Sequence, residues 1–180
     1  MEWYALIVKP QHEKAVAEQL RYKGLETYLP LYRSRRRWSD RVKTIELPLF
    51  SQYVFAQFHY PDRIRVLQTS SVTSIVSFGG APCPVETSQL DALRAIVGSG
   101  LPYSPWPLLH TGQRVRISDG PLRGVEGILA REKSEWRVVI NMDLLQRAVA
   151  VEVERDLVSP CGALLPFAQP APGGPGLARV

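Results

Sequence analysis

Fourteen residues, Gly98-Ser-Gly-Leu-Pro-Tyr-Ser-Pro-Trp-Pro-Leu-Leu-His-Thr111, constrain the fold of this chain more than any other stretch. Pro102, Pro105 and Pro107 each remove a backbone donor, Gly98 and Gly100 add backbone freedom, and the apolar residues keep neither a helix nor a strand period. Such a segment reads as a linker, and it divides the 180 residues into two small domains.

Before it, strands and helices are mixed. Trp3 to Val8 reads as a buried strand ended by Lys9-Pro10. From Gln11 to Lys23, Val16 and Leu20 stand four apart with Ala15 in support and Gly24 as a stop, which predicts an amphipathic helix. Leu25 to Leu31 is a second strand interrupted by Pro30. Ile45–Leu49 and Tyr53–Phe58 are further extended stretches, separated by a kink at Phe50-Ser51-Gln52. Ile64–Thr69 reads as a short helix and Val72–Phe78 as a strand. Ser88 is expected to cap a helix over Gln89–Val97, with Leu90, Leu93, Ile96 and Val97 on one face. This order predicts an α+β domain over residues 1–98, an antiparallel sheet flanked by helices.

After the linker (99–110) the pattern is all-β. Gln113–Ser118, Val125–Arg131, Trp136–Ile140 and Ala148–Val153 are short alternating strands. Closing them into a small SH3-like barrel over 111–160 would remove exposed edges. The tail, 161–180, is too poor in core-forming residues to fold and is expected to be disordered.

Several classes are excluded at this stage. No window is long and apolar enough for a membrane-spanning helix, and Met1-Glu2-Trp3-Tyr4 lacks the layout of a signal peptide, so a cytoplasmic chain without membrane contact is expected. Cys83 and Cys161 cannot form a disulfide framework, and with His12, His59 and His110 scattered there is no metal-ligand spacing. No phosphate-binding loop, paired-carboxylate motif or nucleophile turn is present, so neither an enzyme nor a cofactor is expected.

The most specific segment is Val115-Arg-Ile-Ser-Asp-Gly120-Pro-Leu-Arg-Gly124-Val-Glu-Gly127-Ile-Leu129. Gly120, Gly124 and Gly127 would supply positive φ or a close backbone approach, and their simplest role is to build a barrel. The spacing also resembles the KOW motif of transcription and ribosomal proteins. Trp3-Tyr4, Gly24, Tyr28-Leu-Pro30, Pro48-Leu-Phe50 with Tyr53-Val-Phe55, and Val76-Ser-Phe-Gly-Gly80 followed by Pro82 stand in the order of NusG N-terminal domains. The chain thus resembles the NusG family of transcription elongation factors over residues 1 to about 160. Arg36-Arg-Trp38-Ser-Asp40-Arg41 is most similar to specialised RfaH- and UpxY-type paralogues. Ser51-Gln52 departs from the Pro-Gly pair usual after Leu-Phe, which leaves the geometry of that turn open.

The resemblance implies a monomer whose first domain grips the clamp helices of the largest catalytic subunit of RNA polymerase. Matched by position, Phe50 and Tyr53 would lead that contact, with Ile7 and Leu49 behind them; the rival role for all four is core packing. It implies contact with non-template or upstream DNA through Arg35, Arg36, Arg37, Trp38, Arg41 and Lys43. A second candidate DNA surface comprises Lys14, Gln19 and Lys23 on the polar face of the first helix, with Lys9 at its entrance. Leu144, Leu145 and Arg147 match the loop by which KOW barrels contact termination factor Rho or a small-subunit ribosomal protein, although Gln146 stands where glycine is usual. The function expected from this resemblance is a specialised elongation and antitermination factor that suppresses pausing or termination at particular operons; the alternatives are a housekeeping NusG and an RNA- or ribosome-binding KOW protein.

Charge sharpens the choice. Through residue 103 there are 13 basic against 9 acidic residues, and beyond it 9 against 8. Arg33 to Lys43 alone holds six basic residues and one acid, so the surplus belongs to one segment. Residues 111–160 balance at 8 and 8, a poor electrostatic footprint for RNA.

Overall fold

The computed structural model describes residues 1–37, 41–109, 112–132 and 134–161. The expected tail from 162 onward, Trp38 and His110 lie outside the described residues.

The first strand, β1 (Glu2–Val8), is central because both of its faces are apolar. Trp3 and Ala5 point into one cluster with Leu90, Leu93 and Ile96 of α3 (Thr87–Gly98). Tyr4, Leu6 and Val8 point into another, with Val16, Ala17 and Leu20 of α1 (Glu13–Tyr22) and Val66 of α2 (Arg63–Leu67). A strand covered on both sides needs a continuous apolar run rather than alternation, and Trp3–Val8 has one. Antiparallel neighbours flank it: β5 (Tyr53–Phe58) on one side and β6 (Val72–Ile75) on the other, with β2 (Glu26–Tyr28) beyond β5.

Pro30 splits the expected strand at 25–31 into two elements in different sheets. Its first part is β2; its end opens β3 (Leu31–Arg37), which pairs with β4 (Val42–Pro48), from Leu31 opposite Pro48 to Arg37 opposite Val42. The expected strand at 72–78 also divides, into β6 and a short hairpin of β7 (Ser77–Phe78) with β8 (Ala81–Pro82). β9 (Pro84–Val85) then returns to pair with Trp3 and Tyr4. Ser88 is not a cap: α3 starts one residue before it, Glu86 holds the cap position without a side-chain bond, and Ser88 Oγ donates to the Glu86 carboxylate at 3.4 Å.

The second sheet comprises β10 (Tyr103–Trp106), β11 (Gln113–Ile117), β12 (Glu126–Glu132), β13 (Glu135–Met142), β14 (Arg147–Val153) and β15 (Val158–Pro160). Its order is β10-β14-β13-β12-β11-β15, so the expected barrel is an open sheet in its hydrogen bonding, with β10 and β15 at its edges. Residues 103–106, inside the expected linker, thus belong to this sheet. Pro105 is tolerated there because β10 is an edge strand and needs no donor on its free side. Arg137 fixes β10 further, bonding Ser104 Oγ at 3.5 Å and Glu152 at 3.1 Å with its guanidinium over the Trp106 ring.

The glycines of the 115–129 segment take both expected roles. Gly120 and Gly124 have φ of 83° and 89°. Gly127 is packed so closely that a Cβ would stand 2.6 Å from Val138 Cγ1 and from the Val139 carbonyl oxygen.

Candidate interaction surfaces

The kink between β4 and β5 is a tight turn. Leu49 N–H donates to the Pro30 carbonyl at 2.8 Å and Tyr53 N–H to the Phe50 carbonyl at 3.2 Å. Gln52 lies in the left-handed region with φ of 68°, where glycine is usual. Its backbone is held on both sides: its N–H donates to Glu13 Oε1 at 2.8 Å, and its carbonyl accepts Val8 N–H at 2.9 Å. The departure from Pro-Gly is therefore accommodated by a carboxylate from α1.

The turn gathers the four residues expected to meet a partner. Tyr53 is the direct cross-strand neighbour of Ile7, and Leu49 and Phe50 belong to the same apolar cluster. Phe50 meets Phe55 edge-on at 6.3 Å. Exposure separates the four. Leu49 and Phe50 are 3% and 2% exposed, which makes them core as the molecule stands, whereas Ile7 and Tyr53 are half-buried. The cluster continues through Tyr28, Tyr32, Leu101 and Tyr103 into Val138, Ile140 and Val149 of the second sheet. On another side, a cleft of about 840 Å³ separates α3, at Ser88 and Asp91, from Arg114, Arg123 and Asn141.

Tyr28 lies where these parts meet. Burial pushes its phenol up to about 12, against an opposing pull from Arg94, whose guanidinium stands over the Tyr28 and Trp3 rings at 5.4 and 4.9 Å. Tyr103 is shifted in the same direction, again mainly by burial.

The basic surface is the β3–β4 hairpin. Strand alternation puts Arg33, Arg35 and Arg37 on one side, and all three are exposed, as are Arg41 and Lys43. The cross-strand partner of Arg33 is Glu46, 3.9 Å away. Arg36 lies opposite Lys43 in the ladder. Lys14 of α1 donates to the Glu46 carbonyl at 3.0 Å, joining the helix to the hairpin. Lys9 and Gln19 are exposed. Lys23 differs: its ammonium donates to Thr69 Oγ1 at 2.7 Å and to the Arg65 carbonyl at 3.1 Å, so it ties the end of α1 to α2.

In the second sheet, the turn from β13 to β14 carries Leu144, Leu145 and Arg147. Leu145 is buried, so it plugs the sheet core, while Leu144 is half-buried and Arg147 exposed. Gln146 takes φ of 52°, which explains why glycine suits this position, and its amide donates to the Asp143 carbonyl at 2.7 Å.

Three contributors were missed in the sequence: Glu13, Arg94 and Tyr103. Only Glu13 carried a readable signal, since it shares a helix face with Val16, Ala17 and Leu20 at spacings of three, four and seven.

Comparison with known families adds the decisive observation. The model of the family described as NusG, transcription termination factor nusG, matches residues 1–94, more than half the chain. The chain belongs to the NusG family. Among solved structures it is similar to one described as domain interaction in Thermotoga maritima NusG, at 21% identity and a TM-score of 0.53, covering 87% of this chain and 95% of that one. That likeness supports a NusG-like fold. A second similarity, to an MjSpt4:Spt5 complex at 14% identity over 90% of this chain and 98% of that one, has a TM-score of 0.31, too low to bear on the fold.

Proposed function

We propose that this NusG-family protein is a cytoplasmic transcription elongation factor that works by binding, not catalysis. Its N-terminal part, residues 1–98, engages the clamp helices of RNA polymerase through the face built from Ile7, Tyr53, Leu49 and Phe50. The observation that carries this reading is the convergence of those four residues on one turn and one strand pair within the family-matched segment. Aromatic anchors in apolar settings dominate protein interfaces. Ile7 and Tyr53 are the accessible rim; Leu49 and Phe50 engage only if the cluster they share with the second sheet opens.

The hairpin from Arg33 to Lys43 would lie along non-template or upstream DNA, with Lys9 and Gln19 as a second contact. Its charge density suits the specialised RfaH- or UpxY-type role, in which the factor suppresses pausing or termination at particular operons. The second sheet is read as the KOW module. Leu144 and Arg147 are its outward candidates for Rho or a small-subunit ribosomal protein.

Genome-wide mapping of polymerase occupancy with and without the protein tests this. The specialised role predicts reduced downstream occupancy at a few operons when the protein is absent. A global slowing would point to a housekeeping factor, and no change in occupancy would overturn the proposal.

A further inference from the structure

Glu13 is the one acidic side chain in the interior among the described residues, 5% exposed in the first turn of α1. A carboxylate in that place needs partners, because burying a charge without hydrogen bonds is costly. The helix N-terminus favours its charge, and its Oε1 accepts the Gln52 N–H at 2.8 Å. Gln52 is a non-glycine residue with φ of 68°, a conformation that L side chains adopt only when the surroundings hold them there. The other side of the same residue is fixed by Val8 N–H, which comes from the central strand.

We infer that Glu13 is a positioning residue: its hydrogen bond holds Gln52 left-handed and so sets the direction in which the turn presents Tyr53, and Phe50 once the shared cluster opens, to the polymerase. The inference rests on the proposed contact through that turn. Gln52 is flanked by Ser51 and Tyr53, so a slackened turn moves both ends of the contact, Phe50 before it and Tyr53 after it. The carboxylate supplies what a glycine at position 52 would supply through conformational freedom, and the two solutions are therefore interchangeable.

That equivalence makes a test. Amide exchange at position 52 is followed by NMR in the full chain, and affinity for purified RNA polymerase is measured in parallel. Glu13→Ala is expected to reduce protection of the Gln52 amide and to weaken polymerase binding, each by about tenfold or more, as removal of a bond to a charged acceptor implies. Glu13→Gln, which keeps a neutral carbonyl acceptor, should fall between the parent and Glu13→Ala in both readouts. Glu13→Ala combined with Gln52→Gly should recover polymerase binding although the carboxylate is gone. If Glu13→Ala fails to fold alone, the double variant decides.

A protected Gln52 amide in folded Glu13→Ala, or a double variant that binds no better than Glu13→Ala, would overturn the inference. If the parent chain binds no polymerase, the proposed contact falls, while the exchange measurement still decides whether Glu13 holds the turn.

Discussion

The Tyr103 hydroxyl donates to the Leu31 carbonyl at 2.6 Å, joining the first strand of the second sheet to the base of the arginine hairpin. Leu31 is the first residue of β3 and Tyr103 the first of β10, so one bond links two elements 72 residues apart. It ties the two halves of the chain by a specific polar interaction, in the region where the apolar cluster crosses between them.

Tyr103→Phe keeps the ring and removes the bond. A destabilisation of about 0.5–1.5 kcal/mol is expected, read from the urea midpoint at pH 7. Unchanged stability would mean that the bond adds nothing to the joining of the halves.

Alkaline pH should destabilise the protein through its buried phenols. Tyr4 and Tyr28 both stand at about 12 in the folded chain, raised from an ordinary 10.0 chiefly by burial. Below the ordinary value the phenols are neutral in both states and add no pH dependence. Between 10 and 12 the unfolded chain releases protons that the folded chain retains, so stability falls as pH rises through that window. Tyr28→Phe should flatten the fall, as seen in urea midpoints from pH 8 upward; an unaltered slope would show that Tyr28 is not responsible.

Gly127→Ala places a methyl 2.6 Å from a backbone carbonyl that cannot step aside. The overpacking should cost about 1–3 kcal/mol and lower Tm. Gly120→Ala meets open space and is strained only by its φ of 83°, so a destabilisation of about 1 kcal/mol is expected. Equal effects would show that close approach is not what position 127 demands.

Arginines of the hairpin and Lys23 should behave differently. Alanine at Arg35, Arg37 or Arg41 should weaken DNA binding across sequences, and each substitution should reduce the salt slope by about one, the share of a single neutralised phosphate. Lys23→Ala should instead lower thermal stability and leave the slope unchanged, because its ammonium already serves Thr69 and Arg65. A salt slope that drops with Lys23 would return that residue to the DNA surface.

Much of this architecture was legible in the order of residues. The apolar run Trp3–Val8 reads as a buried strand and Val16 with Leu20 as an amphipathic helix, and both form, the strand covered on each face. Local signals failed where long-range partners decide. Prolines around Tyr103 read as linker, yet an edge position lets Pro105 pair with Val149. Ser88 has the chemistry of a cap, but the chain enters α3 one residue earlier. Phe50 and Tyr53 were readable as a motif, although the burial of Phe50 and the carboxylate beneath the turn depend on which elements pack there. Glu13 shares a helix face with Val16, Ala17 and Leu20, but the partner it meets there, Gln52, is set by packing 39 residues away.

The most direct test of the central claim is the affinity of the full chain and of Tyr53→Ala for purified RNA polymerase, with the fold of the variant verified by circular dichroism. Tyr53 is half-buried and paired with Ile7, so it can be truncated without opening the innermost core. Binding by the parent and a weakening of about tenfold or more in the variant are expected of an interface anchor. Undiminished binding by folded Tyr53→Ala, or no binding by the parent chain, would contradict the assignment.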